Sequence, residues 1–344
     1  MRVLIAGLGS VGQRHLRNLR HLLGDRVEIL AHRVHGASQV ITDEMTIAAG
    51  ESVEEKYGVR SLRSLDEALS ARPDAVFVCN PTSEHMATAL AAARAGCHLF
   101  IEKPLATTAE QVDELIALTE SRGLVAAVGY QMRGHPALLR LRERLRDAVI
   151  GRVVSVRAEM GEYLPTAHPY EDYRTSYAAR SELGGGVILC YIHELDYLCW
   201  LFGKPRRVFT IGGRLGNLDI DVEDTALTSL ECEAGGRVVA VQVHHSFLQR
   251  PASRSCEVVG DRGRIRVDLR AGSLIVDGPD GVSEETTFPD FRRNQLFVDE
   301  LRNFLAVIAG APAPIVTVRE AAVSLEVALA AKASLAGGHA VDLA

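Results

Sequence analysis

The sequence predicts an α/β domain with a mostly parallel sheet, followed by an α+β domain with a mostly antiparallel one. Short apolar runs alternate with helix-period segments through about residue 125. Beyond about residue 150, strand patterns follow one another across glycine turns, and the chain closes on two long helical patterns. We set the domains at 1–125 and 126–344, and 344 residues suffice for two substantial cores.

Val3 to Ala6 reads as a short buried strand. Leu16, Leu19, Leu22 and Leu23 then recur at helical spacing until Gly24. Val27 to Ala31 is a second strand, and residues 36 to 56 give no clear pattern beyond a loop with one helix. A helix begins at Leu65, a strand runs from Asp74 to Cys79, an alanine-rich helix from Glu84 to Ala95, and a strand from Cys97 to Ile101. Thr107 and Glu110 have capping-box spacing and predict a helix to about Arg122, with strand character again at Leu124 to Val128. Alternation of this kind implies parallel strands covered on both faces.

In the second half, 153–160, 207–212, 225–233, 237–245, 255–259, 264–269 and 273–276 read as strands. Ala234-Gly235-Gly236 and Gly260-Asp261-Arg262-Gly263 join neighbours as hairpins, which makes the sheet antiparallel. Val187 to Phe202 reads as one helix with a glycine-rich entrance, and 296–309 and 319–336 are closing helices.

Composition narrows the function. Hydrophobic residues at 47% and charged residues at 24% are ordinary for a globular protein, and a net charge of −6 argues against a broad nucleic-acid surface. The arginine-rich stretch 140–146 has helical periodicity and mixed charge, and so reads as a solvated helix face. Six cysteines without CxxC spacing imply neither a disulfide framework nor a metal site. The N-terminal apolar run is too short for a signal peptide, and no run approaches a membrane span, so a cytoplasmic location without membrane association is expected.

Gly7-Leu8-Gly9-Ser10-Val11-Gly12 lies between a strand and a helix, the setting a dinucleotide-binding (Rossmann) turn requires. Gly7 permits the tight turn, Gly9 lets the backbone approach a pyrophosphate, and Gly12 allows close helix–strand packing. Backbone N–H groups at Ser10 and Val11 and the positive helix end then meet the phosphate charge. The second strand ends in Ala31-His32-Arg33 without the acidic residue that binds a ribose diol. Arg33 is suited to a 2′-phosphate, and the expected cofactor is NADP or NAD, with NADP favoured. Asn80, Pro81 and Thr82 follow a parallel strand and are placed to line the groove, as is His85 in the next helix.

The chain resembles the glucose-fructose oxidoreductase/inositol dehydrogenase (Gfo/Idh/MocA) family. The matching elements are GLGSVGQRH at 7–15, NPTSEH at 80–85, EKP at 102–104, and LGGG with HELDYLCWLFG within 183–203. The resemblance implies a Rossmann domain plus an open-faced antiparallel sheet, and association as a homodimer or homotetramer through that sheet. It implies an oxidoreductase acting at a carbinol or ketone carbon of a sugar, sugar acid, nucleotide sugar or cyclitol. Lys103 takes the role of general acid/base, beside the cofactor with Glu102, and His193 assists. The role is physically sound, because desolvation beside a nicotinamide cation disfavours an ammonium and lowers its pKa. Pro104 restrains the backbone there, with a cis bond as one option.

Most family members carry an Asp one turn before the histidine, where this chain has Cys190. Either Lys103 and His193 suffice, or Glu194 or Asp196 compensates, or Cys190 itself takes part with a pKa lowered by Lys103. A long polar, aromatic loop follows Tyr163, and Tyr163, Tyr173, Arg174 and Arg180 are candidates to grip hydroxyls or an anionic group, with Arg133 and His135 in the same cleft. Two other functions fit the same fold: a redox-neutral epimerase or eliminase with retained cofactor, and a non-catalytic NAD(P)-binding sensor.

Overall fold

The computed structural model describes residues 1–33, 39–42, 45–281 and 283–343. Six parallel strands form the first sheet, in the order Arg60–Leu62, Glu28–His32, Arg2–Ala6, Ala75–Val78, His98–Ile101 and Ala126–Val128. The central strands are apolar on both faces because helices cover both: Val3, Leu4, Ile5, Val76, Phe77 and Val78 are all fully buried. Ala126–Val128 still belongs to this sheet, so the architecture changes after it rather than at residue 125.

The second sheet has nine strands, in the order Ser283–Thr287, Ser273–Asp277, Gly263–Asp268, Leu248–Gly260, Val153–Tyr163, Arg237–Ser246, Thr225–Ala234, Arg207–Gly213 and Val341–Asp342. Every neighbouring pair is antiparallel except Arg237–Ser246 against Val153–Tyr163. Its two edge strands, Ser283–Thr287 and Val341–Asp342, have no apolar alternation and were not expected from the sequence. One face packs on the helices His193–Phe202 and Val318–Gly337. The other leaves Val154, Phe209, Ile211 and Val238 exposed.

Two local expectations fail for identifiable reasons, and a third segment holds more than was expected. The helix from Thr107 begins only at Val112, because Gln111 adopts a left-handed conformation (φ 62°) and no side chain caps it. Residues 187–202 are not one helix. Val187–Cys190 and His193–Phe202 are separate segments with a 49° bend between the helical stretches, so Cys190 and His193 do not share a helix face. Within 36–56 lies a hairpin, Gln39–Ile41 with Ile47–Ser52, followed by the helix Val53–Tyr57, which Ser52 and Glu55 cap reciprocally. Residues 36–38, 43 and 44 lie outside the described residues.

Candidate active site

The glycine turn is shaped by close backbone approach. Gly7 has φ +99°, and a Cβ there would lie 2.6 Å from the Asn80 nitrogen and the Cys79 carbonyl. A Cβ on Gly12 would collide with the Gly7 carbonyl oxygen, whereas one on Gly9 would meet nothing within 4 Å. Gly7 and Gly12 are thus required by the fold, while Gly9 faces open space. The helix Ser10–Leu23 starts at Gly9 with no side-chain cap and no acidic residue in its first turn, which leaves its N–H groups and positive end for an anion. Asn80 donates from its side-chain nitrogen to Thr88 Oγ1 at 2.9 Å, and its Oδ1 is buried without a partner. An open glycine, an uncapped helix start and an unsatisfied amide oxygen fit a dinucleotide.

The other expected groove residues are placed as follows. The Gly7 N–H donates to the His32 carbonyl at 2.9 Å, which sets the end of the second strand against the glycine turn. Tyr170, from the long loop, comes close enough to Ser10 for the serine side chain to favour the tyrosine's charged form, against the burial that raises its pKa to about 12. Pro81 is exposed, and Thr82 is buried beneath Gly184, so Gly184 closes on the loop that follows Asn80. His85 lies near the groove, but its ring nitrogens face the Asn80 and Pro104 carbonyls, each at 2.9 Å. It therefore ties the Asn80 loop to the Lys103-Pro104 segment and has no ring nitrogen left for a cofactor.

Glu102 lies under the groove. His15, fully buried with its ring centroid 4.9 Å from Phe100 and 5.5 Å from Phe77, bonds Glu102 Oε1 through Nε2 at 2.6 Å. Burial alone would raise the Glu102 pKa, but the His15 bond and the charges of His15, Lys103 and His85 hold it below its ordinary value. Lys103 follows with a cis bond to Pro104, and its Nζ donates to the Cys190 carbonyl at 2.8 Å. That bond joins the two domains across the cleft. Burial pushes the Lys103 pKa down, and Arg254 and Arg293 add to the effect, against opposing contributions from Cys190 and Glu102.

His193 opens the next helix at 6% exposure, with Nδ1 buried and unpartnered. Burial first, then the charges of Lys103, Arg254 and Arg293, hold its pKa well below the ordinary value, so it is neutral near pH 7. Burial also pushes the Cys190 thiol up to about 12, against a lowering influence of Lys103. Burial thus outweighs Lys103 at this thiol and favours its neutral form, which is neither a carboxylate substitute nor a nucleophile. Neither acidic neighbour compensates. Glu194 is fully buried and paired with Arg254 at 2.7 Å, and Asp196 is fully buried, held by both arms of Arg133 at 2.8 and 2.9 Å and by Ser324 at 2.8 Å.

Arg133 is therefore committed to Asp196 and Glu320 rather than facing a substrate. His135 caps the helix Pro136–Arg146 by accepting from the Ala137 N–H, and burial lowers its pKa to about 4. Arg174 is exposed and clamped on Asp172, while Arg180 donates to the Arg174 carbonyl at 2.6 Å. The Tyr173 hydroxyl accepts from the Asp219 N–H at 3.2 Å, and the Tyr163 ring lies under Arg250 at 3.3 Å. These loop residues are held by local partners. Two of the cations acting on Lys103 and His193 are Arg254 and Arg293, which sequence reasoning missed. Arg254 lies in a long strand and Arg293 opens a late helix, and no local motif marks either. Tyr177, which acts electrostatically on the Cys190 thiol, and His245, buried with both ring nitrogens unpartnered among the described residues, were also missed.

Two family models match this chain: the oxidoreductase family with an NAD-binding Rossmann fold over residues 1–130, and the GFO/IDH/MocA C-terminal domain over 138–266. The chain belongs to the Gfo/Idh/MocA family. It is an oxidoreductase, as the dehydrogenases among its relatives are. It is 27% identical to the myo-inositol 2-dehydrogenase of Thermotoga maritima, across 100% of this chain and 98% of that protein. It is 36% identical to the UDP-N-acetylglucosamine 3-dehydrogenase of Acidithiobacillus ferrooxidans, across 90% and 89% respectively. Its fold is shared with the WlbA dehydrogenase of Bordetella pertussis, solved with NADH and UDP-GlcNAcA, at a TM-score of 0.80 and 21% identity, covering 100% of this chain and 99% of that one. Among the described residues no His, Cys, Asp and Glu side chains cluster as a metal site, and no single helix is long and apolar enough to cross a membrane.

Proposed function

We propose that the protein interconverts a carbinol and a ketone on a sugar-like substrate, with Lys103 as general acid/base and His193 assisting. The observation that carries this is the half-buried Lys103 side chain, whose Nζ donates to the Cys190 carbonyl at 2.8 Å, between the glycine turn and the His193 helix. Bound nicotinamide supplies the hydride acceptor or donor. In the oxidative direction, Lys103 as the neutral amine accepts the hydroxyl proton while the carbinol carbon loses hydride. In the reductive direction, Lys103 as ammonium returns that proton to the oxygen. The depressed pKa of Lys103 favours the amine, and neutral His193 can hydrogen-bond the reacting oxygen without adding charge. Cys190 fills the family's carboxylate position as a neutral thiol.

The substrate class we favour carries an anionic group, as sugar acids and nucleotide sugars do. Lys103 and Arg293 bring positive charge to this cleft, with Glu162 acting on Arg293, while Glu102 is paired with His15 and Glu194 with Arg254. Arg293 forms no ion pair among the described residues. An anion placed there relieves mutual repulsion among the cations. The similarity to inositol and UDP-sugar dehydrogenases makes cyclitols and nucleotide sugars the first compounds to assay. The uncovered sheet face, with Phe209, Ile211 and Val238 exposed, supports association with a second copy, to be tested by light scattering. Assay of cyclitols, sugar acids and nucleotide sugars for absorbance change with NAD and NADP tests the activity. Dinucleotide binding without hydride exchange on any of them would count against it.

A further inference from the structure

We propose that Glu54 supplies the carboxylate that the second strand lacks, so that the protein takes NAD in preference to NADP. The proposal rests on the oxidoreductase reading above and concerns its cofactor. Arg33, just past the end of the second strand, does not stand alone: its guanidinium pairs with Glu54 Oε1 at 2.5 Å. Ser61 donates to the same oxygen at 2.7 Å. Both partners are mostly buried, with side chains 19% and 25% exposed.

Topology brings this pair to the groove. The second strand runs parallel to the first on one side and to Arg60–Leu62 on the other, with Ala31 opposite Ser61. Its last carbonyl, that of His32, is held by the Gly7 N–H at 2.9 Å. Glu54, in the first turn of the helix Val53–Tyr57, thus reaches the carboxyl end of the second strand, where an open parallel sheet binds the ribose of its ligand. The carboxylate arrives from the following helix instead of from the strand itself.

Two consequences follow for a dinucleotide. Glu54 already neutralises Arg33, so a 2′-phosphate with its charge of about −2 would meet a balanced pair instead of a free cation. Its other oxygen, Oε2, has no hydrogen-bond partner among the described residues. A carboxylate oxygen without a partner accepts from a donor brought to it, and a ribose hydroxyl is a donor of the right kind. Arg33 taken alone favours NADP, and Glu54 reverses that preference.

The test is titration of the whole protein with NADH and with NADPH, followed by nicotinamide fluorescence, which reads binding and needs no substrate. The wild type is expected to bind NADH at least about tenfold more tightly than NADPH. Glu54→Gln, which keeps size but removes the charge, is expected to shift that ratio about tenfold towards NADPH. Adding Arg33→Ala to Glu54→Gln should remove the gain in NADPH affinity. Equal binding of the two by the wild type, a preference for NADPH, or a ratio unmoved in Glu54→Gln overturns the assignment while leaving the oxidoreductase reading intact. Failure of the folded wild type to bind either dinucleotide overturns both. The wild-type ratio decides alone should Glu54→Gln not fold.

Discussion

The two walls of the cleft are built by different means. The nucleotide wall is made of backbone: Gly7, Gly9 and Gly12, an uncapped helix start and the carbonyls of Asn80 and Pro104 that hold His85. The substrate wall is held from behind by buried side chains paired across long stretches of sequence, Glu194 with Arg254 and Asp196 with Arg133. A backbone-built wall tolerates side-chain change away from its glycines. A wall of buried ion pairs fails when one partner is lost, because the survivor is left as an uncompensated buried charge.

The largest effect belongs to the residue between the walls. Lys103→Ala is expected to lower kcat by roughly 10²- to 10⁴-fold with dinucleotide affinity unchanged, as seen by steady-state rates and fluorescence titration. Loss of dinucleotide binding would place Lys103 in the nucleotide wall instead. On the substrate wall, Arg254→Ala is expected to destabilise the fold by about 3–5 kcal/mol in denaturant unfolding, because it strands fully buried Glu194. Arg254→Ala with Glu194→Gln should recover much of that loss, and no recovery would show that packing of the arginine matters more than its charge.

On the nucleotide wall the glycines should separate. Gly12→Ala is expected to cost about 1–3 kcal/mol in stability, since its Cβ meets the Gly7 carbonyl. Gly9→Ala should leave the melting temperature unchanged and weaken dinucleotide binding, since its Cβ points into open space. Equal thermal destabilisation by both would contradict the distinction.

The smallest effect is the acid dependence of stability. Burial lowers the pKa of His135 to about 4 and of His245 to about 3, from an ordinary 6.5. Between those values the unfolded chain binds the extra protons, so stability rises with pH there and is lost as pH falls below about 6.5. Each histidine contributes at most about 1.4 kcal/mol per pH unit. His245→Leu should remove about 2 kcal/mol of the loss between pH 6 and 4, measured by urea midpoints, and an unchanged slope would show that His245 gains a partner on protonation.

The same contrast explains what could be read from the sequence. The parallel sheet, the hairpins and the glycine turn depend on short-range pattern, and Gly260-Asp261-Arg262-Gly263 closes the hairpin it predicts. Lys103 and His193 were visible through motifs whose residues are close in sequence. Arg254 was not, because its partner Glu194 is 60 residues away and nothing local distinguishes it from other strand arginines. The same distance misled the reading of Arg133, whose partner Asp196 lies 63 residues on. Arg33 was read without Glu54 because the hairpin that brings the two together left no clear pattern. The single helix over 187–202 failed because its break at Tyr191-Ile192 carries no proline or glycine signal.

The most direct test of the central claim is the pH dependence of kcat/KM for oxidation of an active substrate, in the wild type and in Lys103→Ala. Lys103 must be unprotonated to accept the hydroxyl proton, so the wild-type rate should rise with pH through an apparent pKa below the ordinary lysine value of about 10.5. In Lys103→Ala that step should be absent and the residual rate flat across the same range. A rise of the same midpoint and amplitude in both proteins would show that another group takes the proton.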